Sequence, residues 1–353
     1  SDSVTHERLP GAHLYLQDKS AGVVSNSYGF YSMAVPGGVK SSITCSYLGY
    51  SAQTVDLKPR QDTLVYFFLS PSAEIGEVVV TERIPINKRI EIGLVEIPIK
   101  QVNALPSIGG ESDVLKALQL MPGIKSGNEA SSGLYVRGGS NDQNLIILDD
   151  VPMFYVNHLR DYVSIFNSAA LQSVKAYKGG FPARYGGRLS SVIDVRMREG
   201  DMHTYRGEVT IGMVSSKVLL EGPLRKDTSS FIISARRFMY DLIMQPLTYL
   251  LTDNSSLKYS FWDINAKYNR ILDPRNRIYF SFYTGEDFIQ YKYKSELIAA
   301  EREAYSRNRW GNIMGVVRWN QVLSPAVFTN TTLNYSRFRY KVINGFAQQA
   351  DSA

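Results

Sequence analysis

The residues that most often carry out chemistry are few in this chain and stand apart from one another. It has four His and one Cys in 353 residues. Cys45 lies alone in an apolar run, which excludes an intramolecular disulfide and a cysteine-based metal site. His158 has no second His or Cys at a chelating spacing, so we expect a hydrogen-bonding loop residue rather than a metal ligand. The chain is predicted to bind no metal and no cofactor.

Neighbouring carboxylates and known catalytic motifs lead to the same expectation. Asp149 and Asp150 are adjacent on a predicted strand, where side chains point to opposite faces and cannot share a substrate proton. There is no G-x-x-x-x-G-K-[ST] loop, no G-x-S-x-G elbow and no H-E-x-x-H helix. The formal net charge of +6 is spread without a Lys/Arg block, which argues against nucleic-acid binding. We expect neither an enzyme nor a nucleic-acid-binding protein.

Paired glycines with arginines beside them mark the middle of the chain. Short apolar runs lead into RGGS at 137–140 and into KGGFPARYGGRLSS at 178–191. Glycine pairs allow positive φ angles and close backbone approach. The arginines beside them cannot lose their charge and need carboxylate or carbonyl partners if they are buried. Rigid turns with arginine at the edges suit a domain that is enclosed in a polar cavity.

Three segments of this region resemble the plug domain of TonB-dependent outer-membrane transporters. They are DVLKALQLMPGIKS at 113–126, LYVRGGSNDQNLIILDDVP at 134–152 and SIFNSAALQSVKAYKGGFPARYGGRLSSVIDVRMREG at 164–200. The resemblance implies an α+β plug over 113–200. The family usually has Gly where Asp150 stands, but Asp tolerates the left-handed region well enough to keep the turn. A short helix is expected over Asp113–Met121, with Ser112 as its N-cap.

The plug is expected to be held in place by ion pairs. The predicted cations are Arg137, Arg184 and Arg188, and the carboxylates are Asp149, Asp194, Glu199 or carboxylates of the surrounding wall. Removing one partner of a dry pair costs roughly 3–5 kcal/mol, so Arg184→Ala is expected to loosen the plug.

Plug loops of this family rise to the outer mouth and touch the cargo, which nominates solute-contact residues here. The candidates lie in 128–132, 140–143 and 153–162, and they are Asn128, Asn141, Asp142, Phe154, Tyr155, His158 and Arg160. Solvated loops, or loops packed against the wall, are the alternative for each of them.

Residues 1–72 are predicted to form a small β-sandwich from short β-rich runs separated by turns. The runs are 14–16, 31–35, 42–47, 53–57 and 63–69. LPGAHLYL, GVVSNSYGFYSMAVPGG and YLGYSAQTVDL resemble the carboxypeptidase-regulatory-like domain, whose first strand looks clipped here. An adhesive or spacer sandwich without a binding role is the alternative.

Residues 73–112 are predicted to be a linker that contains a TonB box. The box would be Glu77, Val78, Val79, Val80 and Thr81, a β-prone segment followed by polar, proline-broken sequence. Such a segment can add a strand to a partner sheet, a mode that needs an extended, accessible backbone. The alternative is that these residues form the last strand of the sandwich.

Residues 201–353 alternate as the strands of a transmembrane β-barrel do. In 261–270, Trp262 and Ile264 share one face, and Asp263 and Asn265 the other. The predicted strands are 205–222, 228–240, 259–271, 275–287, 308–322 and 327–341, joined by short links and by long links at 241–258 and 288–307. A soluble meander is the alternative. Plugged barrels have about 22 strands, so we expect roughly the first six, from the N-terminal part of a longer protein.

The resemblance implies TonB-dependent uptake of a scarce solute across the outer membrane of a Gram-negative bacterium, with the N-terminal domain and linker in the periplasm. The expected partners are TonB with its ExbB/ExbD energising complex, outer-membrane lipid, an unknown solute and a possible surface lipoprotein. A TonB-dependent signal transducer or surface-assembly component without transport is the alternative function.

Overall fold

A computed structural model describes residues 1–18, 20–72, 93–105, 111–127, 131–212, 214–239, 241–242, 246–247, 250, 255–297, 300–324 and 327–350. Most of these residues lie in β-strands, in agreement with the predicted mainly β class. Among them, no helix is long and apolar enough to cross a membrane.

The N-terminal domain contains one regular sheet with the strand order β2-β1-β3-β4. The bounds are His13–Leu16 (β1), Gly22–Val24 (β2), Ser41–Ser46 (β3) and Gln53–Leu57 (β4). The runs predicted as strands at 31–35 and 63–69 have no ladder of their own, and 63–69 joins others only by an isolated bridge at Leu69. Their alternate residues still pack on the core around Leu14 and Ile43, so they supply a second, irregular layer.

The central domain is built on a five-stranded mixed sheet with the order β5-β12-β13-β8-β9. Its strands are Leu94–Pro98 (β5), Asn144–Leu148 (β8), Val151–Pro152 (β9), Leu171–Tyr177 (β12) and Ser191–Met197 (β13). β13 runs parallel to β8, and β5 pairs with β12 along the sheet edge. Residues 94–104, predicted as linker, therefore belong to this domain.

Smaller elements complete the central domain. They are the helices Ile99–Ala104 (α1) and Val114–Gln119 (α2), and the two-residue strands Ile124–Lys125 (β6), Tyr135–Val136 (β7), Asn157–His158 (β10) and Val163–Ser164 (β11). The N-cap of α2 is Asp113, not Ser112. Its carboxylate accepts hydrogen bonds from the backbone N–H groups of Leu115 and Lys116, which supplies partners that the first turn of a helix lacks.

Seven antiparallel strands form the third part, which we call the wall. They follow one another in chain order: Arg206–Ile211 (β14), Ser215–Arg225 (β15), Ser229–Phe238 (β16), Ser255–Asp273 (β17), Asn276–Leu297 (β18), Ala300–Ser324 (β19) and Val327–Ala350 (β20).

Two details of the wall differ from the prediction. The strand predicted over 205–222 is a hairpin, because a hydrogen bond from Gly212 N–H to the Ser215 carbonyl turns the chain. The long link predicted over 288–307 is mostly strand, since β18 and β19 stay paired up to Leu297 and Ala300. The segment was predicted as a link only because it separates two assigned strands, and pairing with the neighbouring strand extends both strands through most of it.

The central domain ends where it presses against the wall. Gly200 has φ +80°, and a Cβ atom at this position would lie 2.3 Å from the carbonyl oxygen of Phe231 on β16. Only glycine permits both the backbone conformation and this approach. The central domain therefore lies directly on one face of the wall.

Candidate functional site

The wall buries a largely polar face against the central domain, where Tyr283, Met314 and Val316 join the apolar core of that domain, and it exposes an apolar face. Buried inward positions on β17, β18 and β19 are Asp263, Asn265, Lys267, Asn269, Arg277, Ser281, Asp287, Asn312, Arg318 and Asn320. Exposed outward positions are Trp262, Phe280, Phe282, Ile313, Val317 and Trp319. A water-soluble sheet packs its apolar face inward, whereas a membrane barrel turns it toward lipid.

Asp149 joins the central domain to the wall through a buried ion pair. Its carboxylate lies 2.9 Å from Lys267 Nζ and accepts a hydrogen bond of 2.6 Å from Ser281 Oγ. Burial alone would raise the pKa of Asp149, but the charges of Lys267 and nearby arginines lower it below its usual value. The residue is therefore ionised and paired.

Asp150 makes a second connection from the same turn. Both Asp149 and Asp150 have positive φ, +46° and +74°, so the turn keeps the left-handed conformation expected there. Asp150 pairs with Arg196 of the central domain at 2.8 Å and with Arg318 of the wall at 3.3 Å. Burial opposes ionisation, yet the two arginines hold the pKa of Asp150 well below its usual range.

Glu111 makes a third connection, near the start of α2. It lies 2.7 Å from Arg236 and 2.9 Å from Lys217, both on the wall, and accepts a hydrogen bond from Ser215 Oγ. Burial favours the neutral form of Glu111, but the charges of Arg236 and Lys217 outweigh burial and lower the pKa of Glu111 to about 2. Arg236 also pairs with Asp263 at 2.7 Å, which links this cluster to the next one.

His158 reverses the sign of the contact, because here the central domain supplies the cation and the wall the anions. Its Nδ1 lies 2.6 Å from Asp287 and its Nε2 3.2 Å from Asp263, and the ring stacks on Phe261 at 4.2 Å. Burial lowers its pKa, but Asp287 and the hydrogen bonds to both carboxylates outweigh burial, so the pKa is raised. The buried ring is held between two strands of the wall.

The predicted carboxylates lie in buried ion pairs, but the predicted arginines do not. Glu199 pairs with Arg277 of the wall at 2.7 Å, and Asp194 pairs with Arg196 at 3.0 Å. Arg137, Arg184 and Arg188 are exposed, and no carboxylate of the described residues lies within 4.0 Å of them.

The arginines beside the glycines make other contacts. Arg184 donates to Ser27 Oγ and to the Tyr185 hydroxyl, and Arg188 donates to the carbonyl of Gly187. Arg137 lies against the backbone of Gly179. The turns that contain these residues are at the surface, so a guanidinium there can stay in water and needs no anion. The prediction that Arg184→Ala would break a dry ion pair is therefore wrong.

The solute-contact candidates separate into accessible and enclosed residues. Phe154 and Tyr155 are 43% and 44% exposed, and Arg160 is also exposed. Asp142 is exposed and accepts from Ser140 Oγ. Asn141 instead uses its side-chain oxygen to accept from Leu134 N–H, and His158 is enclosed as described.

Two predicted groups cannot be placed. Glu77, Val78, Val79, Val80 and Thr81, as well as Asn128, lie outside the described residues.

The sequence analysis did not single out the wall cations, although their positions in the alternating strands could have indicated them. Lys267 lies on the polar face of the alternating run 261–270, and Arg277 and Arg318 occupy equivalent inward positions on their strands. A charge at an inward position of such a strand predicts a partner on whatever fills the interior. Within the described residues, no group of three or more His, Cys, Asp or Glu side chains is placed to hold a metal ion.

Comparison with known proteins assigns the domains. Residues 104–192 match the family described as TonB-dependent Receptor Plug Domain. The chain carries the plug domain of a TonB-dependent receptor. Residues 1–80 match the family described as CarboxypepD_reg-like domain, so the N-terminal domain is of that type and the central domain is the plug. No curated protein matches the chain.

Solved structures that are similar to this chain include two receptors and a transporter. The siderophore receptor PirA from Acinetobacter baumannii has 13% identity and a TM-score of 0.42, with 71% of this chain and 48% of that chain covered. A mutant of the ferric enterobactin receptor PfeA from Pseudomonas aeruginosa has 13% identity and a TM-score of 0.39, with 71% and 49% covered. The copper transporter OprC has 10% identity and a TM-score of 0.42, with 71% and 47% covered. The chain spans about half the length of these structures.

Proposed function

We propose that this chain is part of a TonB-dependent transporter that takes up a scarce solute across the outer membrane. The observation that carries the proposal is the ion-paired contact between the plug and the inward, polar face of the wall. Buried ion pairs hold a domain in one position and contribute little net stability compared with an apolar core. A contact built from them suits a plug that stays closed until work is done on it.

The coupling step would act through the edge of the plug sheet. β5 is the first described plug strand after the 77–81 segment, and it pairs with β12 from Leu94↔Tyr177 to Pro98↔Ser173. A pull on 77–81 reaches Leu94 first and would peel β5 from β12 one residue pair at a time. TonB, driven by ExbB/ExbD, would supply the pull by adding the 77–81 segment to its own sheet.

The orientation follows from the same proposal. The N-terminal domain and linker would lie in the periplasm, and the apolar outer face of the wall would contact outer-membrane lipid. Phe154, Tyr155 and Arg160 would face the solute. A surface lipoprotein over the outer mouth is compatible with these exposed plug residues.

Substitution of Val79 tests the coupling step in the full-length protein. Val79→Pro removes a backbone donor that strand addition needs, whereas Val79→Thr keeps the donor and a β-prone side chain. We expect Val79→Pro to bind solute as the wild-type protein does but to lose solute uptake by cells. Val79→Thr should transport as wild type does. Unimpaired uptake in Val79→Pro would overturn the proposal.

The second candidate function is a TonB-dependent transducer in which binding, without passage, is the output. The N-terminal domain contacts both plug and wall, which favours considering it. Deletion of residues 1–72 separates the two: loss of gene induction by a protein that takes up no solute supports the transducer, and loss of solute uptake supports the transporter.

A further inference from the structure

The N-terminal domain inserts a carboxylate at the base of the plug. Glu7 accepts hydrogen bonds from the backbone N–H groups of Glu199 and Gly200, the latter at 3.2 Å. Nearby, Gln172 of the plug donates to the carbonyl of Arg8 at 2.7 Å. Burial raises the pKa of Glu7 to about 7, although Arg198 acts in the opposite direction. The carboxylate therefore lies inside the domain contact and is not a free surface group.

Tyr28 of the N-terminal domain lies where the plug and the wall meet. The centre of its ring lies 5.6 Å from the guanidinium of Arg196 on the plug and 5.3 Å from that of Arg318 on the wall. Its hydroxyl accepts a hydrogen bond of 2.6 Å from Asn330 of β20 and lies 3.5 Å from Asp150. These two arginines are the ones that hold Asp150. One side chain therefore covers an ion-pair cluster that joins the plug to the wall.

The same domain also rests on the short-turn end of the wall. Phe30 stacks on Phe328 with ring centres 4.9 Å apart, and the Tyr66 hydroxyl donates to the carbonyl of Pro274 at 3.1 Å. Thus the domain contacts the base of the plug, the plug–wall seam and the wall rim at once.

The N-terminal domain and the plug do not share an apolar core. The core of the N-terminal domain around Leu14 and Ile43 is distinct from the plug core around Leu118 and Val174. A cavity of about 780 Å³ lies between the domain and the rim of the wall. Contacts made by a few polar and aromatic side chains between separate cores resemble a transient domain interface, for which relative motion is expected.

We propose that the N-terminal domain is a periplasmic clamp: docked through Glu7, Tyr28 and Phe30, it holds the plug against the wall, and it must leave before the plug can move. The inference rests on the proposed function for the periplasmic location and for the need to move the plug. The 73–92 segment connects the clamp to β5, so one pull on this segment acts on both. The domain is then a regulatory element and not a passive spacer.

Hydrogen exchange of the full-length protein tests the clamp without any solute. The variants are Tyr28→Leu, which removes the ring and hydroxyl from the seam, and Tyr31→Phe as a matched control. Tyr31 donates its hydroxyl to Val65 within the same domain and touches neither plug nor wall through it. The reporter is the backbone amide of Met197, which donates to Asp149 inside the plug and follows Arg196, one of the two arginines beside the Tyr28 ring.

Tyr28→Leu should accelerate exchange at Met197 about ten-fold, the effect expected for loss of a few polar contacts, while Tyr31→Phe should leave it unchanged.

A disulfide between the N-terminal domain and the wall provides the rescue experiment. Adding Phe30→Cys and Phe328→Cys to Tyr28→Leu should restore slow exchange once mass measurement shows that the disulfide has formed, and reduction should reverse it. Unchanged exchange in Tyr28→Leu, or fast exchange in the protein that carries the formed disulfide, would overturn the clamp. Neither result bears on uptake, which the Val79→Pro experiment tests separately.

Discussion

At the scale of single residues, the contact between plug and wall is a set of buried charges with matched partners. Asp149, Asp150 and Glu111 bring anions from the plug to cations on the wall, whereas His158 brings a cation to Asp263 and Asp287. Because the charges are enclosed, loss of one partner leaves the other without compensation, and this is the costly event. Each pair can therefore be tested separately.

Because His158 loses its positive charge as the pH rises, we expect the plug to be held less firmly at higher pH. Its pKa is raised above 6.5 in the folded protein, so its contribution is complete below pH 6.5 and is lost as the pH rises through the folded value. The protection factors of plug amides, which are corrected for the intrinsic rise of exchange with pH, should fall in this range, and His158→Gln should remove that fall. Glu7, with a pKa of about 7, also weakens the folded state as the pH rises. The His158→Gln variant and the reference protein that keeps His158 should therefore both carry Glu7→Gln.

His203→Gln is the control for this experiment. His203 is partly exposed and pairs with Asp227 at 2.8 Å outside the plug–wall contact. A pH dependence that survives in His158→Gln and disappears in His203→Gln would show that the assignment is wrong.

A double-mutant cycle on Asp149 and Lys267 should show strong coupling. Asp149→Asn leaves the Lys267 ammonium buried without an anion and is expected to destabilise plug docking by about 3–5 kcal/mol. The pair Asp149→Asn with Lys267→Met should recover most of that loss, since no unpaired charge remains. Hydrogen exchange of plug amides measures the loss in the single variants and its recovery in the double variant. Asp142→Asn, at an exposed site, should have no measurable effect, and additive single effects would contradict a direct pair.

At the scale of elements, the wall strands present opposite faces to two environments. On β18, Ser281 faces the plug and the neighbouring Phe282 faces outward. A one-residue shift in the register of such a strand would exchange the faces. The continuous pairing of β17, β18 and β19 fixes which face meets the plug.

Charge on the outward face should be costly in proportion to its depth. Phe282→Arg, in the middle part of β18, is expected to cost about 2–4 kcal/mol, and Leu272→Arg, beside the 274–275 turn, about 0–1 kcal/mol. Urea-dependent folding of the full-length protein into lipid vesicles measures the difference. Equal effects at both positions would argue that the outward face does not contact lipid.

At the scale of the whole molecule, the N-terminal domain and the plug lie one after the other along the wall. The N-terminal domain contacts the short-turn end, at Pro274 and Phe328. Tyr155 packs on Trp310, which lies ten residues along β19 from Asn320, or roughly 30 Å at 3.3 Å per residue. The N-terminal domain and the candidate solute contacts are therefore at opposite ends of the wall, and the plug lies between them.

Tryptophan quenching tests the placement of the wall in lipid. Trp262 and Trp319 are 40% and 42% exposed on the outward face, and Trp310 is 6% exposed on the inward face. In vesicles of brominated lipid, Trp262→Phe and Trp319→Phe should each reduce the quenched part of the emission of the full-length protein. Trp310→Phe should reduce only the unquenched part. Quenching of Trp310 alone would invert the proposed arrangement.

The sequence by itself determined the order of the parts and the two-faced character of the wall. Alternation in 261–270 placed Lys267 with Asp263 on one face, which is a property of local spacing, and the segments at 113–200 indicated the plug through their resemblance to that domain. It also indicated the left-handed turn at Asp150, where Asp tolerates positive φ.

Only the tertiary structure decided which charges meet. Glycine-rich turns drew attention to Arg137, Arg184 and Arg188, but these turns are at the surface, and the anchoring cations lie on the wall instead. Sequence spacing cannot bring Asp149 to Lys267, or Tyr28 to both Arg196 and Arg318, because these contacts depend on how three separately folded parts pack. Burial and pairing are properties of that packing, so the ion pairs and the clamp became visible only in the folded molecule.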